Sequence, residues 1–392
     1  MPSEGLSTDP AAVSRAALPN GLAGGSVARP AQGARANLRP TPLAMAVAGA
    51  ATRVAYSTAG LFLFILALQM LKKGAGGLKP ILNAVSAHGV LNLLGFGWTG
   101  AYAVMSGSPV AAISLSLFAG GTISDIEAFA MINGSRLGAS FIVLFVGFLL
   151  YIVRRRTADG LYIGAVALIT AITLWLPVLP IGILALKSGW FDSIRVSTPG
   201  PITSFVEVIY DPLVNYAADH LHRLIVFALG VGLLLTSFAI FDRALPNLES
   251  ASGGRVERIK DVLHHPLAMF LLGLLITAMT LSVSISLTLL IPLSLKGYIR
   301  RDRIIPYIMG ANISTWVDTL MAAILLNTPR AFTIVFTEMV IGASISLFIL
   351  IFAYRPYSRV VLALATRVTH SKRGFALFLG CIFLVPLALL FW

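Results

Sequence analysis

Two ionisable residues stand inside otherwise apolar stretches of this chain: Arg136 in the run 128–153 and Asp318 in the run 304–326. An ion in a bilayer costs about 2.5–3.5 kcal/mol on insertion scales, and such residues generally carry function. A guanidinium at that depth can hold an anion, and a carboxylate can take a proton or Na⁺. The competing reading is a structural ion pair between the two, or an Arg136 whose head snorkels to the interface. Four hydroxyls form a second set. Ser106 and Ser108 lie in Met105-Ser106-Gly107-Ser108-Pro109, and Ser282 and Ser284 lie in Leu281-Ser282-Val283-Ser284. Each group interrupts an apolar region. Where a helix breaks within a bilayer, its freed N–H and C=O groups must be buried in protein or line a wet cavity. Helix N-termini there suit anions, and carbonyl and hydroxyl oxygens suit Na⁺. For a single intramembrane serine the alternative is helix packing or a bond back to the preceding turn.

These residues belong to a duplicated pattern. The segment 97–150 aligns without gaps on 273–326 at a constant offset of 176 residues, Gly97 falling on Gly273. Ser106 and Ser108 fall on Ser282 and Ser284, Gly121 on Gly297, Gly134 on Gly310, and Arg136 on Asn312. The matches fall mainly on glycine and serine rather than on interchangeable aliphatics. Interrupted apolar segments at corresponding places in two halves are the pointer to a transporter binding site.

The chain that must position them is 57% hydrophobic and 11% charged, against about 25% charged for a soluble domain. An all-α polytopic membrane protein is expected. Apolar runs long enough to cross are 54–71, 128–153, 161–186, 224–241, 304–326, 332–354 and 375–391. The division is a disordered cytoplasmic tail (1–42), a first repeat (54–186, hairpin about 80–121), an external loop (187–223), a second repeat (224–354, hairpin about 266–295) and an extra C-terminal span (375–391). The lone Cys381 provides no disulfide or thiolate metal site. The net charge of +13 resides at span ends, which indicates orientation rather than nucleic-acid binding.

Basic clusters at 154–156, 243–260, 296–303 and 355–373 mark one face, expected to be cytoplasmic, while the acidic 187–223 region lies on the other. The segment 266–295 then begins and ends inside. It is long enough for two half-helices but too short for two spans, so it predicts a re-entrant hairpin turning at Ser282–Ser284. The first copy has Asp125 and Glu127 where the second has arginines. The repeats are therefore expected to be inverted, with broken helices, in a cell (inner) membrane with the N-terminus cytoplasmic.

In the second repeat, Gly273-Leu274-Leu275-Ile276-Thr277 leads into Leu281-Ser282-Val283-Ser284. Gly310-Ala311-Asn312-Ile313-Ser314-Thr315 follows, with Ile291-Pro292-Leu293 and Ile305-Pro306 between. On these residues the chain resembles the sodium:phosphate cotransporter family (the type II kind, with bacterial relatives) over about 56–354. The resemblance implies Na⁺-coupled symport of inorganic phosphate, with sites at the two serine-bearing turns and in the Asn312 segment. Thr277, Asn312 and Thr315 join the candidate residues on that ground. The family's motif glutamine is replaced by Met105 and Leu281, and its first-repeat asparagine by Arg136.

The leading expectation is thus an ion-coupled carrier, Na⁺-dependent phosphate symport first, working by alternating access between the hairpin tips. No organic cofactor is expected, and Na⁺ or H⁺ is the coupling ion. The partners are the small anion, the lipid bilayer and, on this scaffold, a second copy in a homodimer. One alternative is an H⁺-coupled transporter of another small anion. Another is a non-transporting regulatory or assembly protein on the same scaffold, which the missing glutamines favour. Catalysis is not expected, because no acid, base and nucleophile cluster within the spans.

Overall fold

The computed structural model is helical throughout and describes residues 42–84, 89–153, 159–194, 198–244, 265–280 and 299–392, with Val196 and a few positions between 282 and 294. The tail reading (1–42) lies outside these residues apart from Pro42. So do Ser284, the cluster 154–156 and the basic stretch after residue 244.

Among the described residues, seven helical stretches are long and apolar enough to cross a membrane: Ala50–Leu78, Asp125–Leu149, Gly160–Lys187, Arg223–Ala244, Arg301–Leu325, Pro329–His370 and Lys372–Leu390. They coincide with the seven runs read from hydropathy. Two connections differ from that reading. The region 187–223 is not a plain loop, since it holds the helix Gly200–His220. The basic stretch after residue 354 is the helix Tyr354–His370, which continues the preceding span through a π-helical turn at Ile349–Ala353. Both carry apolar residues at helical spacing among their charges, a pattern that polarity alone hides.

The helices are α1 (Pro42–Gly74), α2 (Lys79–Ala84), α3 (Val90–Val104), α4 (Ser108–Ala119), α5 (Asp125–Ala139), α6 (Phe141–Val153), α7 (Asp159–Lys187), α8 (Gly200–His220) and α9 (Arg223–Ala244). They continue as α10 (Pro266–Thr280), α11 (Arg301–Ser314), α12 (Trp316–Leu325), α13 (Pro329–Phe348), α14 (Tyr354–His370) and α15 (Lys372–Leu390).

The first polar break ends α3. Met105 turns left-handed (φ 55°). Its N–H donates to Tyr102 O (3.3 Å) and the Ser106 N–H donates to Ala101 O (3.1 Å). This is the helix-ending pattern that glycine usually supplies. Pro109, which needs no N–H partner in a first turn, starts α4. Val110 then lies against the α3 residue Gly100, so the chain has turned back. Glu127 closes a capping box with Ser124 and also accepts the Gly89 N–H at 2.9 Å. The start of α3 and the start of α5 are therefore side by side.

The second break repeats this plan. Thr277 donates to Ser286 Oγ at 2.6 Å, whereas nine residues of unbroken helix would rise about 13.5 Å. The chain thus turns back at Ser282. Pro266 and Arg300 line one cavity, so the ends of this segment also lie side by side.

The 176-residue correspondence extends to packing. A Cβ on Gly97 would stand 1.9 Å from Met131 O, and one on Gly273 would stand 2.2 Å from Tyr307 O. A Cβ on Gly134 would stand 2.1 Å from Leu94 O, and one on Gly310 would stand 1.9 Å from Phe270 O. Helix α3 thus lies on α5 as α10 lies on α11, with backbones too close for any side chain at four matched positions. Each long helix is also interrupted at a matching depth, α5/α6 at Ser140 and α11/α12 at Thr315.

Helix α13 connects the two halves. Near its start, Arg330 pairs with Asp125 (2.9 Å) and Asp192, beside the ends of the first hairpin-like segment. Beyond its other end, the Tyr354 hydroxyl donates to Asp302 O, beside the ends of the second. From Arg330 to Tyr354 the helix is about 36 Å long at 1.5 Å per residue.

Candidate functional site

The charged residues of the interior meet where the broken helices pass α13. Arg136, on α5, is 2% exposed; Asp318, in the first turn of α12, is 4% exposed; and Glu338, on α13, is fully buried. The Arg136 Nη2 donates to Thr319 Oγ1 at 2.9 Å, and that hydroxyl reaches Asp318 Oδ1 at 3.1 Å. The Arg136 Nε stands 3.5 Å from Glu338 Oε2, an ion pair without hydrogen-bond geometry. Ser108, at the start of α4, faces the Asp318 carboxylate. The Trp316 indole N–H faces Glu338, also without hydrogen-bond geometry. Trp316 is held edge-on against Trp175, their ring centroids 5.6 Å apart.

Local sequence explains the placement. The break at Thr315 starts a new helix, so Asp318 falls in a first turn, where a carboxylate is favoured by the free N–H groups. The break at Gly107 brings the start of α4 against Ser135 O, where even a Cβ would approach to 2.8 Å. Ser108 is thereby carried to the same centre. Glu338 lies eight residues beyond Arg330, about 12 Å along the axis, and Arg136 eleven beyond Asp125, about 16 Å. Both thus lie about two to three helical turns inside their candidate spans.

Two features define what this centre can do. One guanidinium serves two carboxylates, so the formal charge is one negative in excess. Many polar atoms are also buried without a hydrogen-bond partner: Arg136 Nε, Asp318 Oδ2, both Glu338 carboxylate oxygens, Asn312 Nδ2, and the Ser140 and Ser314 hydroxyls. Buried polar groups are nearly always satisfied, so unpartnered carboxylate and guanidinium atoms at one centre set it apart from the rest of the interior.

Of the residues read from sequence, Ser108, Arg136 and Asp318 are brought together. Asn312 is buried with its amide nitrogen unpartnered, and Thr315 donates back to Asn312 O at 2.7 Å, closing the end of α11. Thr277 is in a different hydroxyl chain: it donates to Ser286 Oγ, which stands 2.8 Å from the Tyr307 hydroxyl. Ser282 uses its carbonyl to accept from Thr280 and from the Ser286 N–H. Ser106 is half-buried, with its N–H spent on the α3 cap. The alternative of a direct Arg136–Asp318 pair is not what the structure has: Thr319 lies between them, and Arg136 meets Glu338. Sequence reading missed Glu338 and Thr319. Glu338 had a visible signal, being the one carboxylate in the run 332–354. No protein-family model, curated protein or solved structure matches this chain.

Proposed function

We propose that this protein is an ion-coupled secondary transporter of a small inorganic anion, phosphate first, in a cell membrane with the N-terminus cytoplasmic. The observation that carries the reading is the buried Arg136–Asp318–Glu338 centre, with one cation for two carboxylates and unpartnered polar atoms around it. A H⁺ or Na⁺ that neutralises Glu338 loosens its hold on Arg136 and frees the guanidinium for an oxyanion. Loss of the cation restores the ion pair and expels the anion. Binding of the two ions is thereby linked, which is the requirement for symport.

The architecture supports this reading. The two turned-back segments behave as re-entrant hairpins, and their open ends lie at opposite ends of the ~36 Å helix α13, as inverted repeats require. The acidic end with Asp125 and Asp192 is external in this orientation, and the end with Arg300 to Arg303 is cytoplasmic. One observation favours a second reading. Arg136 is already engaged by Glu338 and Thr319, so the centre could instead be a structural lock in a non-transporting protein.

Uptake of labelled phosphate into proteoliposomes, driven separately by a Na⁺ gradient and by a pH gradient, tests the proposal. Gradient-driven uptake that Glu338→Gln uncouples from the driving ion is expected. Absence of driven uptake for phosphate and for a panel of other small anions, by protein that unfolds normally, would reject it in favour of the lock.

A further inference from the structure

Two basic clusters, one before α11 and one at the start of α14, are far apart in sequence and converge on one open cavity of about 870 Å³. Among the described residues its walls carry Arg300, Arg301, Arg303, Arg355 and Arg359, with Asp302 as the carboxylate. Arginines from two separate stretches of the chain are thus gathered in a single recess. Asp302 is already shared between Arg300 (3.2 Å) and Arg303 (3.4 Å). The Arg303 Nε and Nη1 are shielded from water and have no hydrogen-bond partner. Aromatic faces hold two of the guanidiniums in place: Arg301 lies 4.8 Å from the Tyr162 ring centre and Arg303 lies 5.8 Å from that of Tyr354. Like charges held together with orphaned donors form a preorganised receptor for a multivalent oxyanion, and guanidinium forks match phosphate.

We infer that this cavity binds the phosphate group of an anionic lipid headgroup. The position selects the lipid source. Arg301 is the first residue of a candidate span, and the recess opens at the end of that span, between it and the helix leading on from α13. That is the level at which headgroups lie, with Leu362 and Pro266 supplying an apolar flank for the start of the acyl chains. Basic pockets between spans are the known form of such recognition.

The purified protein, delipidated in detergent and titrated with phosphatidylglycerol or with phosphatidylcholine, is examined by native mass spectrometry. Inorganic phosphate is titrated in a parallel arm. Wild type is expected to retain phosphatidylglycerol and to release phosphatidylcholine. Arg355→Gln/Arg359→Gln, at two exposed positions, should bind phosphatidylglycerol about twenty-five-fold more weakly, each arginine near an anionic surface contributing about a factor of five. Arg300→Gln, also exposed, should weaken it about fivefold by the same rule, and it guards against misfolding of the double variant. Equal retention by all three proteins, or equal retention of phosphatidylcholine, overturns the inference. So does saturable binding of inorganic phosphate lost in the variants while phosphatidylglycerol binding is unchanged, which assigns the cavity to the free anion.

Discussion

Removing Arg136 should cost far more stability than removing the whole charged centre. Arg136→Met keeps most of the side-chain volume but leaves Asp318 and Glu338 buried at 4% and 0% exposure without a counter-charge. Breaking one partner out of a buried ion pair costs about 3–5 kcal/mol, because the remaining charge is stranded, whereas replacing every member by neutral groups is often close to neutral. In a folded unit of this size, about 2 °C of unfolding temperature corresponds to 1 kcal/mol, so Arg136→Met should unfold about 6–10 °C below wild type. Adding Asp318→Asn and Glu338→Gln should recover most of that loss. Glu338→Gln alone should shift it little, since Arg136 and Asp318 then balance through Thr319. Scanning fluorimetry of the four proteins in one detergent reads this directly. An Arg136→Met protein within 2 °C of wild type, or a triple variant no better than the single, would refute the claim that these three residues form one electrostatic unit.

Gly97→Ala and Gly310→Ala should each destabilise by about 1–3 kcal/mol or more, as overpacked sites do, because the new Cβ would stand 1.9 Å from a carbonyl oxygen of the partner helix. Gly232→Ala has nothing within 4 Å of its added Cβ and should be neutral to stabilising by up to about 1 kcal/mol; thermal unfolding compares all three. Thr277→Val removes one donor from the Ser286–Tyr307 chain and should cost about 1 kcal/mol. Phosphate uptake reduced far beyond that loss would instead make Thr277 a substrate ligand. Arg330→Gln disconnects Asp125 from Asp192 at a site 30% exposed and should cost about 1 kcal/mol or less. Salt should narrow the difference between the variant and wild type, which unfolding in low and high salt checks.

All seven candidate spans were legible because a crossing helix must be apolar over a fixed length, a one-dimensional property. The two breaks at Ser106 and Ser282 were legible for the same reason, small polar residues being costly inside such runs. The duplication was visible in part because four of its glycines, Gly97, Gly134, Gly273 and Gly310, sit where carbonyl oxygens of a neighbouring helix approach too closely for a Cβ. Helices α8 and α14 were not legible as helices, because their charge masks the periodicity of their apolar faces.

What tertiary structure alone decided is partnership. The sequence marked Arg136 and Asp318 as charges inside apolar runs, with a direct pair between them as the competing reading to an anion and cation site. Folding instead inserted Thr319 between them and brought Glu338 from α13. Sequence spacing cannot foresee this, since Arg136 and Glu338 are about two hundred residues apart and meet only through the crossing of α5 and α13. Hydroxyls on the two turned-back segments also find different kinds of partner. Ser108 turns to a carboxylate, while Thr277 is taken up by Ser286 and Tyr307. Hydropathy determines which segments enter the bilayer, because water rejects them one at a time; which polar groups then satisfy one another depends on helix packing, a property of all the segments at once.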